Sequence, residues 1–178
     1  MDEKITNILL RGVPGCGKTT LIKEIIGRLG NVNAQGFYTS EIREDGERKG
    51  FKITTLNGDE SILSHVDFKG PHKVGKYTVN EENLEDVGAD ALIKAQRDAD
   101  VIVIDEIGKM ELFSELVKLS IVEALASSKI VLGTIMSKKD EFADKIKDRE
   151  DTIIIEVTKE NRDKLTDEII KIITDLLS

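Results

Sequence analysis

Nine residues, Gly12-Val13-Pro14-Gly15-Cys16-Gly17-Lys18-Thr19-Thr20, complete the spacing G-x-x-x-x-G-K-[ST]. Those residue types at that spacing suit a phosphate chain. The glycines permit backbone angles that turn successive N–H groups inward, forming a concave nest for phosphate oxygens. A helix that starts at such a loop points the positive end of its dipole at the same anions. Lys18 would place a point charge on the β- and γ-phosphates, and the Thr19 hydroxyl is a ligand for Mg²⁺. A second segment, Val101-Ile102-Val103-Ile104-Asp105-Glu106-Ile107-Gly108, is an apolar run leading into two carboxylates, the Walker B pattern. In a doubly wound sheet, ligands bind beyond the carboxyl ends of the strands. Asp105 there can hold Mg²⁺ through its water shell. Glu106 suits the orientation or deprotonation of a water attacking the γ-phosphate. Taken alone, the Asp-Glu pair would equally fit a solvated strand end.

Five further residues are candidates with open alternatives. Thr134 ends the apolar run Ile130-Val131-Leu132-Gly133, where its hydroxyl could bond the γ-phosphate or the attacking water, or simply satisfy backbone. Lys109 follows the Walker B run and could reach phosphate charge in place of an arginine finger, or be a surface lysine entering a helix. Arg43 could close over a triphosphate, or pair with Glu41 or Glu44 across a hairpin. Asn161 and Arg162 follow the last apolar strand, on the side where such proteins often meet the base. Helix capping with a solvated arginine is an equal account of that pair. Cys16, in an unrestricted position of the loop, is read as a tolerated small residue, although amides and helix dipole there would favour a thiolate. His65 and His72 have no acid or cysteine at ligand spacing and are assigned no role.

These side chains need elements to position them. Ile5–Arg11 reads as a strand before the loop. After it, Leu21, Ile22, Ile25, Ile26 and Leu29 recur at helical spacing, with Gly30 as a stop. From Gly36 to Arg43 the pattern alternates, Asp45-Gly46 is a two-residue hairpin turn, and Arg48–Leu56 returns as a strand. Asn57-Gly58 offers another turn before a short strand at Ser61–His65, and Lys76–Val79 adds one more. Residues 36–79 are therefore expected to be an inserted antiparallel β-meander. Asn80 should cap a helix whose Leu84, Val87, Ala91, Leu92 and Ala95 share a face. Strands then alternate with helices: Val101–Asp105, Phe113–Ala126, Lys129–Met136, Lys139–Ile146, Thr152–Val157 and Lys159–Leu177. Unbroken apolar strands such as Val101–Ile104 and Ile153–Ile155 suit a parallel sheet covered on both faces. The expected fold class is α/β, three-layered, with a mostly parallel sheet.

With 178 residues the chain is expected to form one domain, 1–178, able to bury about 70% of its unfolded surface. A net charge of −8 and a pI near 4.9 argue against a broad nucleic-acid surface. The basic cluster Lys69, His72, Lys73 and Lys76 lacks interleaved aromatics and reads as a solvated loop. No run approaches a membrane span, and Met1-Asp2-Glu3-Lys4 is not a signal peptide. The single cysteine suggests a reducing compartment, so a cytoplasmic location is expected. No heptad is evident, and monomer is the default.

Gly12–Thr20, Gly36-Phe37-Tyr38-Thr39, Glu41-Ile42-Arg43, Gly50-Phe51, Asp105 through Phe113, Leu132-Gly133-Thr134-Ile135 and Val157 through Arg162 together resemble the THEP1-type nucleoside-triphosphatases, a family that includes the cancer-related NTPase of animals. The resemblance implies a RecA-like P-loop fold and Mg²⁺-dependent hydrolysis of ATP, GTP and other nucleoside triphosphates. It places the nucleotide-contacting segments on Gly12–Thr19 and Val101–Gly108. Two other functions share the loop. A nucleotide or small-molecule kinase would need an acceptor pocket and usually several lid arginines, whereas Arg43 and Arg48 are the only pair close in sequence. A nucleotide-dependent switch with slow hydrolysis would use the same residues; Phe37, Tyr38 and Phe51 could be its partner surface, or pack on the sheet.

Overall fold

The computed structural model describes residues 4–178. Met1, Asp2 and Glu3, the residues on which the absence of a signal peptide was read, lie outside the described residues. Nine strands form one sheet: β1 Asn7–Arg11, β2 Ala34–Glu44, β3 Glu47–Thr55, β4 Glu60–His65, β5 Lys73–Val74, β6 Tyr77–Val79, β7 Val101–Ile107, β8 Ile130–Ile135 and β9 Thr152–Glu156. Their order across the sheet is β5-β6-β4-β3-β2-β7-β8-β1-β9. The β2-β7-β8-β1-β9 portion is parallel, and β3, β4, β6 and β5 extend it antiparallel. The meander therefore is continuous with the main sheet. Ala34–Phe37 of β2 pair in parallel with Val101–Ile104, while Phe37–Glu44 pair with β3.

Continuous apolar strands follow from burial on both faces. Ile8 and Leu10 of β1, and Val101 and Val103 of β7, join α1 (Lys18–Arg28) and α6 (Arg162–Leu177) in one core through Leu21, Ile22, Ile25, Ile169 and Ile173. The intervening Leu9, Ile102 and Ile104 face the other way, joining Leu84, Leu92, Val117, Ile121 and Ile146. Those residues come from the helical run 81–98, α4 (Glu115–Ala126) and α5 (Glu141–Lys147). Since successive side chains of a strand point to opposite faces, only all-apolar strands can satisfy both layers.

Local signals account for the connections. Asp45 (φ 51°) and Gly46 (φ 78°) both take positive φ, the geometry of the turn that joins β2 to β3. The Asn80 side chain accepts from the Asn83 N–H at 2.8 Å and starts the helical run. That run is not one regular helix. Helix α2 (Glu81–Asn83) passes through a π-helical turn, Leu84–Ala89, into α3 (Asp90–Asp98). Within that turn, a Cβ on Gly88 would lie only 3.0 Å from Ile53 Cδ1, so the absent side chain lets the turn close on the sheet.

The loop reading of the basic cluster is partly replaced. Lys73 belongs to the edge strand β5, Lys76 pairs with Glu47 at 3.4 Å, and His72 Nε2 is 3.1 Å from Glu81 while its ring stacks on Phe113 at 4.8 Å. Among the described residues no helix is long and apolar enough to cross a membrane.

Candidate active site

The loop between β1 and α1 is shaped by what its glycines avoid. A Cβ on Gly12 would lie 2.5 Å from the Val157 carbonyl oxygen and 2.9 Å from Cys16 Sγ, so a larger residue there would displace backbone. Gly17, at φ 96°, is the N-cap of α1, and no side chain caps the helix. No acidic residue occupies its first turn, so the N-terminal amides and the positive pole of the helix remain available to an anion. Lys18 folds over the loop, donating from Nζ to the carbonyls of Gly12 at 2.7 Å and Val13 at 3.2 Å. Cys16 is buried inside it, its sulfur 3.9 Å from Lys18 Nζ.

Strand β7, which carries Asp105 and Glu106, lies two strands from β1, with β8 between them. Parallel pairing brings all three carboxyl ends together. Asp105 is buried there, accepting from the Thr19 hydroxyl at 2.5 Å and from the Thr134 hydroxyl at 2.7 Å. The Thr134 hydroxyl thus bonds neither backbone nor open solvent; it fixes the second carboxylate oxygen. Burial pushes the Asp105 carboxyl up, while the two hydroxyls and then the Lys18 and Lys23 charges pull it down. The hydroxyl of Thr19 and the carboxylate of Asp105 are hard oxygen donors of the kind Mg²⁺ prefers. Among the described residues no group of three or more His, Cys, Asp or Glu side chains could hold an ion alone. That chemistry fits a metal whose other ligands are phosphate oxygens and water.

Glu106 follows Asp105 through a cis peptide bond. Its carboxyl folds over Gly108, where a Cβ would collide with Glu106 Oε1. Burial and then the Asp105 charge raise its pKa above the ordinary carboxylate value, against the opposing pull of Lys18. Glu111, in the 3₁₀ turn Glu111–Phe113, adds a third acid; it is 4% exposed. Burial, then the Glu106 charge, pushes its carboxyl well above the usual range. In the sequence Glu111 carries no signal of its own. Its spacing five residues beyond Glu106 carries no known ligand pattern, and only the fold turns it inward. Tyr38 also comes near: burial and the Asp105 charge raise its hydroxyl pKa, and Lys23 Nζ sits 5.0 Å from its ring centroid. Phe37 is buried in the core, and Phe51 packs edge-on against Tyr77 at 5.4 Å, so both serve packing.

The remaining candidates separate. Arg43 donates to Glu41, two residues back on the same strand, at 2.8 Å and to the Gly46 carbonyl of the turn at 3.0 Å, so it has the acidic partner of the alternative reading, along the strand rather than across the hairpin. Arg48 is similarly engaged by Glu41 at 2.9 Å and the Tyr77 hydroxyl at 2.8 Å. Lys109 is exposed on a groove of about 680 Å³ lined by Leu112, Phe113, Leu119, Val122 and Phe142. Asn161 is the N-cap residue of α6 but makes no side-chain cap bond; its Oδ1 accepts from the Thr158 N–H at 2.8 Å and its Nδ2 donates to the Glu156 carbonyl at 2.9 Å, closing the turn before the helix. Arg162, by contrast, is brought to the loop, its guanidinium lying against Gly17. His65 accepts from the Asp67 N–H at 3.2 Å.

The sequence model of a family described as NTPase matches residues 7–170. The chain is similar to nucleoside-triphosphatase THEP1 of Thermotoga sp. strain RQ2, with 48% identity over 166 residues, covering 93% of this chain and 94% of that one. It is 38% identical over 180 residues to the cancer-related nucleoside-triphosphatase of Homo sapiens, covering 92% and 94%. The crystal structure of THEP1 from Aquifex aeolicus superposes with a TM-score of 0.86 at 36% identity, covering 94% of this chain and 98% of that one.

Proposed function

As the chain belongs to the NTPase family, we propose that it is a Mg²⁺-dependent hydrolase of nucleoside triphosphates, tolerant of the base, that releases the diphosphate and phosphate. The observation that carries the reading is the Thr19–Asp105 contact at 2.5 Å, which ties the phosphate loop to the Walker B strand. The amides of the loop and of the first turn of α1 receive the phosphate oxygens, and Lys18 neutralises the β- and γ-phosphates. Thr19 and Asp105 would hold Mg²⁺, and Thr134 keeps the Asp105 carboxylate turned toward it. When bound, the ion would supply neutralisation of the charge that develops on the phosphate chain.

Glu106 is the candidate for positioning the attacking water. Burial and the Asp105 charge raise its pKa, which makes the carboxylate a stronger base, suited to taking a proton from the attacking water in the transition state. Base tolerance fits a site whose assigned groups, the loop amides, Lys18, Thr19 and Asp105, all address the phosphate chain or its metal rather than the base. A kinase is disfavoured because Arg43 and Arg48, the nearest arginine pair in sequence, are engaged within the hairpin and with Tyr77. The test is phosphate release from ATP, GTP, CTP and UTP with Mg²⁺, with and without candidate acceptors. Release without acceptor, at rates within about tenfold across the four bases, supports the proposal. Turnover that requires an acceptor would overturn it.

A further inference from the structure

We propose that Arg162 is a second phosphate-binding cation, gripping the diphosphate segment of the nucleotide from the side of the loop opposite Asp105. The inference rests on the reading of the loop as the nucleotide site. Arg162 opens α6 directly after the turn that Thr158 and Asn161 hold closed, and its own N–H donates to the Thr158 carbonyl at 3.2 Å. From that fixed base the side chain crosses to the loop. A Cβ placed on Gly17 would collide with Arg162 Nη1, with Cδ at 3.0 Å and Cζ at 3.3 Å. Glycine at position 17 thus serves two ends: the left-handed angle of the N-cap and the room for this guanidinium.

The position is electrostatically odd without an anion. Gly17 caps the positive end of α1, and the next residue is the cation Lys18. A guanidinium parked at a helix N-terminus is disfavoured by the dipole and by the neighbouring charge. Its carboxylate partner, Asp163, lies 3.8 Å away and is 96% exposed, too long and too solvated to offset that cost. A phosphate chain between the two cations removes the conflict.

The sheet order selects which phosphates. Strand β9, which leads to Arg162, flanks β1 on the side away from β8 and β7. Thr19, Asp105 and Thr134 mark the metal and γ-phosphate end from the β7–β8 side. Arg162 approaches from the other flank, so its fork suits the α- and β-phosphates, which the triphosphate and the diphosphate share.

Equilibrium binding of MgATP and of ADP to the full chain tests this with Arg162→Gln, Arg162→Lys and Lys18→Ala. Arg162→Gln should weaken both ligands equally, by roughly 10- to 100-fold. Arg162→Lys should recover part of the loss, because it keeps the charge and lacks the fork. The melting temperature without nucleotide should hold or rise, since a repulsion is relieved. A fall in melting temperature would make Arg162 a prop of the loop and overturn the contact. Unchanged ADP binding, with or without a fall in kcat, would overturn it as well. Lys18→Ala leaving both affinities unchanged would instead overturn the placement of the nucleotide itself.

Discussion

Glu111→Gln should stabilise the nucleotide-free protein, and by an amount that grows with pH. The Glu111 carboxyl is buried, and burial followed by the Glu106 and Asp105 charges raises its pKa well above the ordinary value of 4.5. The amides of Glu111 itself and of Gly108 offset only part of this. Below about pH 4.5 the carboxyl is protonated in folded and unfolded chains alike, and the group adds no pH dependence. Above it the unfolded chain releases the proton while the folded chain keeps it. Stability then falls with rising pH, by about 1.4 kcal/mol per unit, until the folded carboxyl also ionises. An unfolding entropy of roughly 2.1 cal/mol/K per residue over a chain of 178 residues converts that slope to about 4 °C per pH unit. Glutamine keeps the shape and an acceptor for the two amides, and it removes the titration. Melting curves of both proteins between pH 4 and 8 should nearly coincide at pH 4 and diverge upward, with the variant more stable. A variant less stable than the native chain at pH 7, or a difference independent of pH, would mean that the fold does not hold the Glu111 carboxyl protonated.

Other consequences follow from the same geometry. Thr134→Val keeps the shape of the strand end but frees one Asp105 oxygen, and should weaken the Mg²⁺ dependence of phosphate release by roughly tenfold with the melting temperature within a few degrees. Gly12→Ala forces a methyl to 2.5 Å from the Val157 carbonyl; calorimetry should show a loss of about 1–3 kcal/mol, and titration with ADP should show binding largely lost.

The elements that carry strong local signals were legible in the sequence. The loop spacing, the Asp45-Gly46 turn and the Asn80 cap each act through a few neighbouring residues, so a short window contains their cause. Apolar runs such as Val101–Ile104 implied a doubly covered parallel sheet because both faces of each strand had to be buried. What escaped depends on distant partners. The π-helical turn at Leu84–Ala89 exists where Gly88 closes on Ile53, a residue from another layer. Strand β5 is two residues long and forms only by pairing with β6. Thr134 could be placed at a strand end, but its bond to Asp105 needed the registration of β7 against β8. Glu111 lay in a turn of ordinary appearance, and its enclosure follows from how the chain folds back after Gly108. For Arg162 the signal existed in Gly17, yet nothing local said which side chain would fill the space.

In the proposed reaction, water positioned by Glu106 attacks a phosphate held by the loop. Single-turnover phosphate release from MgATP without acceptor, measured beside ATP affinity for the native chain and Glu106→Gln, tests it most directly. Release from Glu106→Gln should slow by about a hundredfold or more, with affinity within a few-fold. Release at the native rate by Glu106→Gln, with ATP still bound, would contradict it.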